Sequence, residues 1–282
     1  KMIKITKIYK MELPNNTIEI YKNIKSYIIF KKILSLLNNR KILILIVYNK
    51  TLQTKLDLNI KDYKRESRIY KIAEKNGITY AVLAYTYGTN GLPVPEGYEY
   101  MVNVWTVYGD ENYEAYKEQV KKDIQSVRDK VDVLIVSMHW GNEYTHIPTW
   151  YQQDAAQFLS SLGVDIIIGT HPHVIQPIEY IDNTLVIYSL GNFISAQKEE
   201  NTRVGMMVSL DINKHIENDI TTITINNVKA DLTWTYHNRY REFKVIPFYN
   251  LNNELLNNYE TIYEKYKKII NSTNDDRIQI GF

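Results

Sequence analysis

Four of the six histidines in this 282-residue chain fall between positions 139 and 173, and three of them stand at the ends of apolar runs. His139 closes Val133 to Met138, while His171 and His173 follow Asp165 to Gly169. Short runs of this kind, rich in β-branched residues, predict buried strands. In layered α/β proteins the carboxyl ends of strands form the ligand crevice, so the three imidazoles are expected to converge there. A His-x-His pair leaving a strand can point both rings to one side, because side chains alternate with period two. Imidazoles so placed suit a divalent ion such as Mn, Fe or Zn, and His139, His171 and His173 are the expected ligands. A lone histidine is more often a satisfied core or surface residue; three at successive strand ends weaken that reading.

Glu143 follows within His139-Trp140-Gly141-Asn142-Glu143-Tyr144. Its carboxylate could orient a ligand, accept a proton or bind metal, and it is the expected catalytic group. Asn192, in Ser189-Leu190-Gly191-Asn192-Phe193, is expected to donate hydrogen bonds into the crevice. Asn90 and Asn142 join it as expected substrate-binding side chains. His146 lacks a strand end and is expected at the surface. Asp165 is expected to cap the turn before its strand rather than act in catalysis.

The elements that must position these groups become legible from residue 66. Ser67 to Ile72, an Asn76-Gly77 turn and Ile78 to Thr86 read as a β-hairpin, followed by a Gly- and Pro-rich loop over 87–93. Tyr116, Val120, Ile124, Val127 and Val131 recur at helical spacing, predicting a helix over Glu114 to Lys130. Thr149-x-x-Gln152 has the form of a capping box and opens a helix that Gly163 ends. Strands are predicted at 133–136, 165–168, 184–188 and 206–212, and a last helix at 254–270. Strand and helix alternating in this rhythm predict an α/β layered architecture. Before residue 65 only a helix at Ile24 to Leu37 and a strand at Ile42 to Tyr48 suggest themselves, without clear turns between them.

Composition bounds the rest. With 44% hydrophobic and 23% charged residues the chain is ordinary globular material, and with no cysteine it has neither disulfides, thiolate metal ligands nor a thiol nucleophile. The formal charge of +2 hides an asymmetry: residues 1–62 carry a net +9 and the remainder −7. Those 62 residues contain no Gly, Ala, His or Trp, and all 11 glycines lie at or beyond Gly77. The bias is what A/T-rich codons give in a shifted reading frame, so residues 1–65 are expected to be an aberrant N-terminal segment ahead of a domain at 66–282. The basic residues there are interleaved with Ile and Leu rather than with stacking aromatics, which argues against a nucleic-acid partner. The longest apolar run, Ile42 to Tyr48, is far short of the roughly 20 residues that a membrane-spanning helix needs. The chain starts at Lys1, so a native start and any signal peptide or membrane anchor are expected upstream.

A resemblance sharpens these expectations. His139-Trp140-Gly141-x-Glu143-Tyr144, Pro148, Gln153, Ala156, Gly169-Thr170-His171-Pro172-His173-Val174-x-Gln176-Pro177-x-Glu179 and Tyr188-Ser189-Leu190-Gly191-Asn192-Phe193 resemble the poly-γ-glutamate capsule-synthesis protein family of CapA type. Tyr85-Thr86-x-Gly88-Thr89-Asn90-Gly91 fits the same family. The family is similar to calcineurin-like metallophosphoesterases, which implies a sandwich of two mixed β-sheets flanked by helices, incomplete here at the N-terminus. It also implies His139 and His171 on one metal and His173 on its neighbour. The family's first half further supplies a Gly-Asp motif and an Asn-Asn-His-x-x-Asp motif. Here Asn15-Asn16 are followed by Thr17, with Ile20 at the Asp position. A two-metal site needs a bridging anion to hold two cations within about 4 Å, so this chain is expected to hold at most one.

The resemblance implies work in capsule or poly-γ-glutamate biosynthesis or export, by a metal-dependent hydrolase-type site acting on an anionic surface polymer or its precursor. The implied partner is membrane-bound synthesis machinery, and the implied place is the extracytoplasmic side of the cell membrane. The alternative is a non-catalytic assembly or polymer-binding component of a cell-surface polymer system.

Overall fold

The computed structural model describes residues 72–94, 96, 102–105 and 111–281. The expected helix at 24–37, the strand at 42–48 and the Asn15-Asn16 echo lie outside them, as do Ser67 to Lys71 of the expected hairpin. All elements below belong to the unit Tyr70–Phe282.

Two sheets form its frame. The first contains β1 (Ala73–Lys75), β2 (Ile78–Thr86), β3 (Val133–His139), β4 (Ile166–Thr170), β5 (Ile178–Ile181) and β6 (Thr184–Ile187), in the order β1-β2-β3-β4-β6-β5. β2, β3, β4 and β6 run parallel, while β1 and β5 are antiparallel edges. The second sheet contains β7 (Val204–Glu217), β8 (Ile220–Asn238), β9 (Arg241–Pro247) and β10 (Ile278–Ile280). The long β8 lies between β7 on one side and both β9 and the parallel β10 on the other. The expectation of two mixed sheets with flanking helices is met.

Strand alternation explains the layering. On β3, Leu134, Val136 and Met138 face one core while Val133 and Ile135 face another; on β4, Ile167 opposes Ile166 and Ile168 in the same way. The first core is closed by helix α1 (Tyr113–Val127), through Val120, Ile124 and Val127, and by α2 (Trp150–Ser161), through Ala155, Ala156 and Leu159. The second core lies between the sheets, where Val133, Ile166, Leu185 and Ile187 meet Val204, Met206, Val228, Ala230 and Leu232. A further short helix α3 (Glu200–Arg203) precedes β7, and α4 (Tyr259–Ile270) adds Ile262, Tyr266 and Ile270 to the second core. Each fully buried Leu or Ile contributes about 1.5–3 kcal/mol. That is why the central strands, with both faces covered, read as continuous apolar runs.

Several boundaries differ from the sequence reading. Among the described residues the first hairpin strand is Ala73–Lys75, paired with β2 across the Asn76-Gly77 turn; of the expected 67–72 strand only Ile72 is described, and it precedes that strand. β7 extends to Glu217, and β8 and β9 form an antiparallel ribbon whose polar alternation gave no apolar run to read. The helix expected at 254–270 begins at Tyr259 and is followed by β10. Among the described residues no helix is long and apolar enough to cross a membrane.

Candidate functional site

Three parallel strands bring the chemistry to one rim. Thr86, the last residue of β2, pairs in register with His139 at the end of β3, and His139 pairs with Thr170 at the end of β4. The chain then turns sharply. His171 and His173 both adopt left-handed backbone, with φ of 97° and 60°, a region that side-chain-bearing residues seldom occupy. The His-x-His pair therefore does not project by strand alternation as expected; a tight turn aims it.

The rings do meet. The centres of His139 and His171 are 4.6 Å apart, and those of His171 and His173 are 6.2 Å apart. Tyr87 lies against both of the first two, stacked 5.4 Å from His139 and tilted 4.6 Å from His171. Tyr144 stacks 5.9 Å from His173.

Hydrogen bonding settles which nitrogens carry protons. The Thr86 hydroxyl donates to the Gly88 carbonyl at 2.8 Å, so at 2.9 Å from His139 Nδ1 it accepts, and Nδ1 carries the hydrogen. Asn192 Nδ2 donates to Gln197 Oε1 at 2.9 Å and to the Thr202 carbonyl at 2.8 Å. Its Oδ1 is therefore the acceptor for His173 Nδ1–H at 2.9 Å. In neutral rings both Nε2 atoms then keep a lone pair, the arrangement by which second partners orient metal-binding imidazoles. His173 Nε2 stands 3.7 Å from Glu143 Oε1. Two acceptors at that separation repel unless a proton or another cation lies between them.

Burial pushes the His139 imidazole below its ordinary pKa, and the neighbouring His173 charge adds to this. Burial does the same to His171; the charges of His139 and His173 push the same way, against the opposing pull of Glu143. Both rings are thus biased to the neutral form in which an imidazole can coordinate.

The loop carrying Glu143 is held from below. Thr149 caps α2 with a complete capping box: its side chain accepts from the Gln152 amide, and its own amide donates to Gln152 Oε1 at 2.9 Å. Gln152 Nε2 donates to Gln176 Oε1 at 2.9 Å, and Gln176 Nε2 donates to the Thr145 carbonyl at 2.9 Å. Both glutamines are 0% exposed. The Tyr144 amide closes the circuit by donating to the Pro172 carbonyl at 2.8 Å, joining this loop to the histidine turn. Gly141, at φ 87°, lets the backbone pass over Gln152, where a Cβ would stand 2.6 Å from Oε1. Gly169 is required too: a Cβ there would lie 1.9 Å from the Tyr188 carbonyl oxygen and 2.5 Å from Trp140 Nε1, which itself donates to that carbonyl.

The remaining expected residues are placed as follows. Asn90 is exposed and accepts a hydrogen bond from the Tyr87 hydroxyl at 2.6 Å. Asn142 is exposed and accepts from Tyr151 on α2 at 2.9 Å, with no bond to the rings. Asn192 orients His173 with its Oδ1 and uses both Nδ2 hydrogens within the protein. His146 is half-buried rather than superficial, because Nδ1 bonds the Ile175 carbonyl at 2.7 Å and its ring packs on Tyr266. Asp165 is structural: it accepts from the Leu134 amide at 2.6 Å and pairs with Arg128. Thr86, Tyr87, Gln176 and Gln197 support the rim without having been expected as site residues, and Gln152, expected only as a helix cap, supports it too. The signal for Thr86 was its place at the end of the neighbouring strand.

A resident divalent ion would need several such donors grouped around it. Neutral imidazoles are the right chemistry, and His139, oriented by Thr86, and His171 would supply them. Yet among the described residues no three His, Asp or Glu side chains are grouped to hold one ion. The donors fit in kind and are incomplete in number there.

Against known proteins, residues 60–197 match the family model described as bacterial capsule synthesis protein PGA_cap. The PGA biosynthesis protein CapA of Bacillus subtilis (strain 168) is 39% identical over 92 residues, which cover 33% of this chain and 24% of that one. The capsule biosynthesis protein CapA of Bacillus anthracis is 33% identical over 97 residues, covering 34% and 24%. The aligned stretch thus spans about a quarter of these relatives' own length. Among solved structures, a 5′-nucleotidase candidate from Staphylococcus aureus in complex with α-ketoglutarate overlaps 69% of this chain and 33% of that chain, at 13% identity and a TM-score of 0.30. GAP50, the anchor in the inner membrane complex of Plasmodium, overlaps 76% and 61%, at 10% identity and a TM-score of 0.32.

Proposed function

We propose, from the match of residues 60–197 to the bacterial capsule synthesis family model PGA_cap, that the histidine rim is a cation-dependent hydrolase-type site acting on an anionic capsule polymer, poly-γ-glutamate, or its precursor. The proposed setting is the extracytoplasmic side of a cell membrane, beside the synthesis machinery. The observation that carries the reading is the pair of fixed tautomers: Thr86 and Asn192 hold the Nδ1 hydrogens of His139 and His173, leaving Nε2 of each to face a ligand.

His139 and His171 would hold the ion, with His173 and Glu143 beside it. A bound divalent ion would supply charge neutralisation and a more acidic water. The protein's own part is positional. Tyr87 and Tyr144 flank the rings, and Glu143 stands where it can take or return a proton at His173 Nε2.

The test is metal retention by the full chain after dialysis against Mn or Zn, read by mass spectrometry, with H171A as control and bis(4-nitrophenyl) phosphate as the turnover probe. About one ion per chain, lost in H171A, is expected. A chain that retains no ion at neutral pH overturns the cation site. A second reading, a non-catalytic polymer-binding component, is favoured by the lack of a three-donor group among the described residues. Ion retention without turnover would select it.

A further inference from the structure

The chain treats its arginines unequally. Arg128 is paired with Asp165 and Arg277 with Asp275. Arg277 shows a complete arrangement: its guanidinium lies 3.9 Å from the Tyr180 ring centre and its other edge meets a carboxylate. Arg203 repeats the first half alone. Its guanidinium lies 4.1 Å from the Trp234 ring centre, and Nε–H donates to the Thr235 carbonyl at 2.9 Å. Among the described residues no carboxylate pairs with it and no acceptor meets its two Nη groups.

Arg203 is half-buried, and burial pushes its pKa down, with Tyr240 acting in the opposite direction. A partly desolvated charge that is held rigid without a counter-ion is unfavourable unless something completes it. Its place is also informative. The preceding residue, Thr202, gives the carbonyl that accepts from Asn192 Nδ2, and Asn192 orients His173. Thr235, whose carbonyl anchors Arg203, bonds through its hydroxyl to the Phe193 carbonyl at 3.5 Å. Arg203 and the histidine rim therefore share one support, the segment around Asn192.

We propose that Arg203 is an oxyanion subsite beside the histidine rim, taking a carboxylate or phosphate group on its Nη edge; Asp275 meets Arg277 on the Nε–Nη2 edge instead, where Nε of Arg203 is already given to the Thr235 carbonyl. The aromatic floor and the Thr235 carbonyl fix the guanidinium plane, so both Nη groups are presented together, the geometry that binds a carboxylate or phosphate through two parallel hydrogen bonds. This rests on the reading of the rim as acting on an anionic polymer, and it adds the group on the protein that grips the chain.

The experiment titrates the full chain in EDTA with a γ-linked glutamate pentamer and, separately, with inorganic phosphate, followed by calorimetry and tryptophan fluorescence. Binding that weakens with salt, changes tryptophan emission through Trp234, and loses about tenfold or more in affinity in R203Q is expected. R203K, which keeps the charge without the planar fork, should fall between. Pentamer binding without phosphate binding assigns a carboxylate, and the reverse assigns a phosphate. Binding of neither probe, or a Kd unchanged within about twofold in R203Q, overturns the subsite. If R203Q does not fold, R203K decides by the same twofold criterion. EDTA separates this from the cation site: ion retention at the rim with no anion binding overturns the subsite alone, whereas anion binding with no ion retention overturns the rim reading alone.

Discussion

Replacing Gln152 with Ala should loosen the loop that presents Glu143 while leaving the sheet intact. Gln152 is 0% exposed and serves three neighbours: the Thr149 amide, the Thr149 hydroxyl and Gln176 Oε1. The Thr149 side chain keeps its bond to the residue-152 amide, while each polar partner left buried and unsatisfied costs about 1–3 kcal/mol. Water entering the vacated space recovers part of this, so about 3 kcal/mol is expected. For a domain of roughly 150–250 residues, 1 kcal/mol shifts the melting temperature by about 2–4 °C, so a drop of about 6–12 °C should follow. Differential scanning calorimetry reads the drop, and amide hydrogen exchange locates it. The Tyr144 amide, held by the Pro172 carbonyl, should exchange faster, whereas the Ile167 amide in β4 should not. Q152E keeps the cap acceptor and loses the donor to Gln176, so it should fall between. A melting temperature within about 3 °C of wild type, with Tyr144 exchange unchanged, would refute the idea that this buried amide pair holds the loop.

Other substitutions probe other links. T86V removes the hydroxyl that fixes the His139 tautomer with little change of shape, and should weaken Mn or Zn retention about 10–100-fold in calorimetric titration while changing stability by about 1 kcal/mol. G169A drives a methyl into the Tyr188 carbonyl and the Trp140 indole; it should destabilise by at least about 3 kcal/mol in urea denaturation, because the clash is with backbone that cannot rotate away. Burial raises the Asp132 carboxyl, yet the amide and hydroxyl of Thr79 and the Lys214 ammonium together bring it below its ordinary pKa. Its contribution is therefore present above the unfolded-state pKa and lost as pH falls through the folded-state value. D132N should be less stable than wild type at pH 7, and the gap should close towards pH 3.

What the sequence made legible were features with strong local signals. The capping box at Thr149 and Gln152 is present atom for atom, and α1 ends within three residues of its expected end because Val120, Ile124 and Val127 keep one stripe against the sheet. His139, His171 and His173 do gather at strand ends, since apolar runs marked β3 and β4. Tertiary context decided the rest. β8 alternates apolar with polar residues, Val228, Ala230, Leu232 and Trp234 joining the core, but it offers no continuous apolar run, and its pairing with β7 and β9 is set across the sheet. Thr86 matters through a register across strands 53 residues apart, which no local window displays. Gln152, legible only as part of a capping box, and Gln176, legible only as part of a family motif, became the buried struts of the loop, because each found the other.

The two left-handed histidines have a consequence for how this fold can change over time. A residue bearing a β-carbon in that region carries strain on the order of 1–3 kcal/mol, and His173 stands there at φ 60°. Glycine at position 173 would relieve it, giving a hardier molecule with a blunted rim. Selection for robustness alone would thus favour glycine at this position, and the imidazole there is kept at the expense of that gain.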